Sequence, residues 1–246
     1  MRIAIAMFIF LATLGNAAAA EPEGLIEAIR AGDAGRVESL LQAGADPSEP
    51  LSDSGLPPLF EAVRKGHAEI VWMLLNAGED VNATYHSDNG GSFPILSDAI
   101  HRRHSGIAIG LIDRDADIDG YECPPDWPCT PVFILAVQYG DSALVRRFVE
   151  AGASVDLFVP GQQIDGMRRD EREDDTSPLM TAAMMGRPDI LAVLLEMGAD
   201  VSLKTRMGCT AIDLAIINKR PKAAELLRKA GSVADEKGCY MYRYLK

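Results

Sequence analysis

Six copies of one short motif, each in fixed phase with a second feature upstream, constrain this chain more than anything else in it. The segments LLQAGAD, LLNAGED, LIDRDAD, FVEAGAS, LLEMGAD and LLRKAGS align on Gly44, Gly78, Asp115, Gly152, Gly198 and Gly231. Successive copies stand 34, 37, 37, 46 and 33 residues apart. An alanine precedes each aligned position by 16 residues: Ala28, Ala62, Ala99, Ala136, Ala182 and Ala215. A constant offset inside a variable period marks a rigid supersecondary block with connections of differing length. That is the pattern of a stacked repeat array.

Apolar residues at 3/4 spacing predict two short helices in each block. In the second unit PPLFEAVRKG is the first and HAEIVWMLLNAG the second. Pro58 falls in the first helical turn, where its missing N–H costs nothing. Gly66 and Gly78 end the two helices, where a left-handed residue is easiest without a Cβ. These residues resemble the ankyrin repeat. Gly55-Leu56-Pro57-Pro58-Leu59, Gly66-His67, Ile70-Val71, Leu74-Leu75 and Val81-Asn82 match its pattern in one copy. Ser177-Pro178-Leu179, Ala182-Ala183, Gly186, Leu194-Leu195 and Gly198-Ala199-Asp200-Val201 match it in another, and Gly208 to Ala215 opens a last one. The resemblance, to a bacterial exported ankyrin-repeat protein, implies an all-α solenoid of about six helix–turn–helix repeats with hairpin-like loops. The repeats are expected over about 22–47, 53–83, 90–119, 128–156, 174–202 and 207–232, within a domain of residues 21–232 and before a tail of 233–246.

The sequence departs from the pattern in places. Arg103 stands where the first-helix Gly belongs and Asp115 where the second does; an extra residue separates Pro94 and Pro131 from their alanines. Three connections are long, at about 84–91, 120–128 and 157–175, the last holding the charge run MRRDEREDD. A helix pair of this size cannot bury its apolar face alone, so neighbours must cover it and the end units need polar outer faces. Glu27, Arg30 and Glu38 at one end, and Lys219, Arg220, Lys222 and Arg228 at the other, suit that role.

Residues 1–20 read as a signal peptide: Arg2, an apolar run from Ile3 to Leu14 too short to span a bilayer, then Ala18-Ala19-Ala20 for cleavage. The expected location is the periplasm, with secretion as the other outcome of export and no membrane span after cleavage. In an oxidising compartment the four cysteines can pair. Local closure favours Cys123 with Cys129 around PPDWP, which leaves Cys209 and Cys239 either paired to staple the tail or as free thiols.

Little in the chain suggests chemistry. His101 and His104 could share a helical face toward a metal, yet His104 and His67 sit at the ordinary Gly-His position of the family. Asp115, Asp117 and Asp119 with Gly120 and Asp126 imitate a calcium loop, but lack the long bidentate Glu and are interrupted by prolines. No nucleophile elbow, phosphate loop or dinucleotide motif is present, so no cofactor, no metal and no catalytic activity are expected. The net charge of −12 argues against nucleic acid, which needs a basic field.

The resemblance points instead to a protein partner bound in the concave groove by a monomer. Two positions after each small-residue pair should line that groove: Arg64 and Lys65, His101 and Arg102, Gln138 and Tyr139, Met184 and Met185. Tyr121 and Trp127 flank or lie within the Cys123–Cys129 loop and make a second candidate contact. Charge reversal at Arg64, Lys65 and Arg102 is expected to weaken binding at unchanged melting. Two functions fit: an exported interaction protein, as in stress protection, or an immunity protein that neutralises a secreted antibacterial toxin such as a lipase. The acidic charge would steer it to a basic toxin.

Overall fold

A computed structural model describes residues 22–49, 55–125, 128–162, 174–235 and 237–241. The signal segment, Trp127 and most of the acidic insert lie outside the described residues. Six antiparallel helix pairs follow one another: α1 (Pro22–Ala31) with α2 (Ala34–Gln42), α3 (Pro58–Lys65) with α4 (Ala68–Asn76), and α5 (Ile95–His101) with α6 (Ser105–Ile112). Then come α7 (Val132–Tyr139) with α8 (Ser142–Glu150), α9 (Pro178–Met185) with α10 (Pro188–Glu196), and α11 (Ala211–Ile217) with α12 (Pro221–Lys229). The odd-numbered helices pack successively against one another in one layer and the even-numbered helices in a second.

Helices of 7 to 10 residues are too short to persist alone in water, so tertiary packing holds them. One continuous apolar core runs between the layers from Leu25 to Met241. All six phased alanines lie in it, each at most 1% exposed. A larger side chain there would push stacked helices apart, which is why the alanine recurs at a constant offset. A close approach of the same kind occurs between even-numbered helices. A Cβ on Gly110 of α6 would collide with the Trp72 ring of α4. Arg114 covers that ring at 4.3 Å from its centroid and donates to the Gly110 carbonyl.

The three long connections form antiparallel β-hairpins. β1 (Thr84–His86) pairs with β2 (Ser92–Pro94), β3 (Tyr121–Glu122) with β4 (Thr130–Pro131), and β5 (Val159–Gln162) with β6 (Asp174–Thr176). Ser92 and Cys123 exchange backbone hydrogen bonds at 2.8 Å and tie the first two hairpins together. The extra residue after Pro94 and Pro131 also has a consequence. These prolines precede their helices as N-caps, whereas Pro58 and Pro178 sit inside the first turn.

The turn after each first helix needs a left-handed residue in five of the six pairs. Gly66 supplies one at φ 77°. Arg103 at φ 60° and Lys219 at φ 56° occupy the same region without glycine, as does Asp115 at φ 63° after α6. The departures from pattern at Arg103 and Asp115 therefore leave the backbone path intact and add strain of about 1 kcal/mol each.

Both disulfides are formed, Cys123–Cys129 and Cys209–Cys239. The second joins the start of the last repeat to the tail. Beside it lies Asp213, fully buried in α11. One carboxylate oxygen accepts from the backbone N–H and hydroxyl of Thr210, and the other accepts from the Asp235 N–H. The tail is thus clamped by a covalent bond and a buried carboxylate together.

Candidate partner-binding face

The residues predicted for the groove lie at the C-terminal ends of the odd-numbered helices, beside the hairpins. A cation at that end of one helix meets an acid one position before the phased alanine of the next. Arg30 Nε stands 3.3 Å from Glu61, and Arg64 Nε stands 3.4 Å from Asp98. Arg102 Nε approaches the other Asp98 oxygen at 3.8 Å. In the next step Leu135 occupies the acid position, so His101 turns to the second hairpin and meets Glu122 through Nε2 at 2.8 Å. Arg64, His101 and Arg102 of the expected groove are therefore each set against an acid. Charge reversal at Arg64 or Arg102 would set a new acid beside Asp98, so unchanged melting is not the expected outcome there.

Three of the predicted residues, Arg64, His101 and Arg102, share one cavity of about 360 Å³. Phe60, Tyr85 and Phe93 form its aromatic wall, with Phe60 and Tyr85 ring centroids 6.1 Å apart and Tyr85 paired across the hairpin with Phe93. Asp98 and Glu122 complete the lining. Tyr139 borders it, its ring tilted against that of His101 at 4.9 Å between centroids. Sequence reasoning missed the aromatic wall and both acids. Asp98 could have been found from its phase, one residue before Ala99. Glu122 could not, because the hairpin alone brings it to His101.

The electrostatics follow from this packing. Burial holds the Asp98 carboxyl above its usual range, although Arg64, Arg102 and His101 all pull it down. The hydrogen bond to Glu122 raises the His101 imidazolium above 6.5, aided by the charges of Glu122 and Asp98 and opposed by burial and Arg102. Arg64 Nε and Asp98 Oδ2 are buried, close, and misaligned for a hydrogen bond with each other.

The other predicted residues are spread along the stack. Lys65 is exposed at the end of α3. Gln138 is half-buried, and Arg187 donates to its backbone carbonyl at 2.8 Å and to the Gly140 carbonyl at 2.7 Å. Met184 is half-buried and its carbonyl accepts from Arg220, while Met185 is 40% exposed on α9, away from the cavity. Tyr121 is exposed on the strand face opposite Glu122.

The histidine pair does not converge on a metal position. His101 binds Glu122, whereas His104 turns toward the preceding repeat, 3.5 Å from the Arg64 carbonyl and against Gly66. The calcium-like aspartates are engaged in turns: Asp117 accepts from the Asp119 N–H, and the Asp117 N–H donates to Asn82. Among the described residues no group of three His, Cys, Asp or Glu is placed to hold a metal ion. No helix among them is long and apolar enough to cross a membrane.

Comparison with known proteins agrees with this architecture. The chain is 36% identical over 86 residues to human 2-5A-dependent ribonuclease, a match covering 35% of this chain and 10% of the relative. It spans only 10% to 36% of the length of such curated relatives. Among solved structures it resembles a chain of the complex of the Bd0816 predatory endopeptidase from Bdellovibrio bacteriovorus with immunity protein Bd3460. The TM-score is 0.62 at 23% identity, covering 84% of this chain and 97% of that one. It also resembles the ankyrin repeat domain of Bcl-3, with TM-score 0.63 at 21% identity over 85% of this chain and 86% of that one. The family model for ankyrin repeats in three copies matches residues 25–122, 96–205 and 133–237, and with the stacked helix pairs this shows that the chain belongs to the ankyrin-repeat family.

Proposed function

We propose that the chain is an exported, non-enzymatic interaction protein that binds a partner protein on the face formed by the odd-numbered helices and the hairpins. The observation behind this reading is the aromatic cavity of Phe60, Tyr85 and Phe93, framed by Arg64, Arg102 and His101 and bordered by Tyr139. Aromatic and arginine side chains lining a preformed depression are what a protein interface uses to anchor a partner. The two disulfides favour an oxidising compartment, in accord with residues 1–20 as a signal peptide and the periplasm as destination. Stress protection is one role such a module would serve there.

The test uses Lys65→Glu with Tyr139→Ala and Met185→Glu, three exposed or partly exposed positions outside the buried ion pairs. The variant should keep its melting temperature and lose the partner that the unaltered protein captures from a periplasmic extract. Capture of the same partner in equal yield by both would reject this face.

A second reading is favoured by the endopeptidase–immunity protein complex among the structural neighbours and by the net charge of −12. Here the partner is a secreted antibacterial toxin, such as a lipase, that the chain neutralises. Capture of one basic partner with nanomolar affinity, and inhibition of its activity, supports this reading. Several weakly bound partners support the first.

A further inference from the structure

The cavity of about 360 Å³ contains unused donors as well as an apolar wall. Arg64 and Arg102 share a single carboxylate, Asp98, and each approaches it through Nε. The second carboxylate, Glu122, is taken by His101. Two guanidinium cations thus stand against Asp98 alone, the Glu122 carboxylate being engaged by His101. Among the described residues no hydrogen bond reaches the Nη atoms of either arginine, and buried Arg64 Nε has none either. Phe60, Tyr85 and Phe93 supply the opposite wall. An uncharged apolar occupant would strip water from these donors and return nothing to them; a cationic one would face two like charges. An apolar body with a carboxylate satisfies both walls, since planar guanidinium donors match carboxylate oxygens.

The size of the cavity restricts the choice further. It suits roughly one amino-acid residue, at the lower end of ligand-pocket volumes. An internal phenylalanine has the apolar body without the charge, and an internal glutamate has the charge without the body. A chain-terminal residue has both on one Cα. We propose that this pocket is an anchor site for the C-terminal carboxylate of a partner protein ending in an aromatic or bulky aliphatic residue. The assignment rests on the reading of this face as the partner-binding surface and names the chemistry of its deepest contact.

Calorimetric titration of the disulfide-bonded chain tests it with a synthetic tetrapeptide ending in Phe. The free acid should bind, and the C-terminal amide should bind about tenfold or more weakly, because the charge-assisted hydrogen bonds are lost. The same peptide ending in Ala should be weaker as well. Arg102→Gln, at a half-exposed side chain, should weaken the free acid by a similar factor and bring it close to the amide. Arg36→Gln on α2 serves as a folded control and should change nothing. Equal binding of acid and amide, or no binding of either, overturns the proposal. So does N-acetylphenylalanine binding as tightly as the peptide, which would make the occupant a free small acid. Peptides that fail to bind while the Lys65, Tyr139 and Met185 variant still loses its partner reject the pocket alone. Peptides that bind while that variant captures normally reject the wider face alone.

Discussion

His101 shows how a single side chain takes its properties from its neighbours. Its imidazole meets Glu122 from β3 and Tyr139 from α7, lies in the field of Asp98 on its own helix and of Arg102 just past it, and shares its cavity with Arg64 from α3 and Tyr85 from β1. Because its folded pKa lies above the unfolded value, the folded state holds the proton more tightly. The pair's stabilisation is therefore complete below about pH 6.5 and fades as pH rises through the higher folded value. Thermal melts should show the gap between the unaltered chain and His101→Gln widest near pH 5.5 and narrowed by about pH 9. A gap that grows with pH would contradict the assignment. Asp98 acts in the same direction at lower pH, since burial raises it too. Backbone strain gives a second prediction at this scale. Gly66→Ala should cost about 1–2 kcal/mol in urea unfolding, because a Cβ at φ 77° would also press on the His104 ring at 2.7 Å. Asp115→Gly, at a site already left-handed, should be neutral or slightly stabilising in the same assay.

Successive helix pairs are joined by more than apolar contact. A residue at the N-cap of a second helix reaches back to the carbonyls that end the previous first helix. His104 stands near the Arg64 carbonyl, Arg187 donates to those of Gln138 and Gly140, and Arg220 donates to that of Met184. Each places a donor, formally charged for the arginines, at the negative end of a helix whose last carbonyls have no intrahelical partner. Arg187→Ala should therefore cost about 2 kcal/mol by urea unfolding. Hydrogen exchange should quicken at the α7–α9 junction before it does at α1. Hairpins act at this scale as well. β3 presents Glu122 inward and Tyr121 outward because strand side chains alternate, and the Ser92–Cys123 bridge keeps β3 beside β2.

For the whole molecule, stability is a sum of repeat and junction terms, and the ends are the weak points. The C-terminal end is reinforced by the Cys209–Cys239 bond, whose closed loop of about 30 residues is worth about 3.6 kcal/mol in the chain-entropy account. Cys209→Ala with Cys239→Ala should lower the melting temperature under oxidising conditions, and a thiol reductant should add little further loss from this end. Asp213→Asn should also free the tail, since an amide cannot serve the Thr210 hydroxyl, the Thr210 N–H and the Asp235 N–H with the same strength. Proteolysis at residues 233–241 is the readout for both.

Much of this architecture was already readable from the order of residues. The alanines at constant phase, the paired 3.6-period segments and the closing glycines specify helix pairs, because each is a local consequence of helix geometry and close packing. The stacking then follows, since no pair can cover its own apolar face. The candidate site was only half legible. Arg64, His101 and Arg102 could be placed on one face by their phase. Their neutralisation by Asp98 and Glu122, the wall of Phe60, Tyr85 and Phe93, and the opposite directions of His101 and His104 depend on where hairpins of irregular length fold back. Period and phase set what is near along a helix. Only the tertiary structure decides which side chains from different repeats meet, because those contacts close over tens of residues of chain.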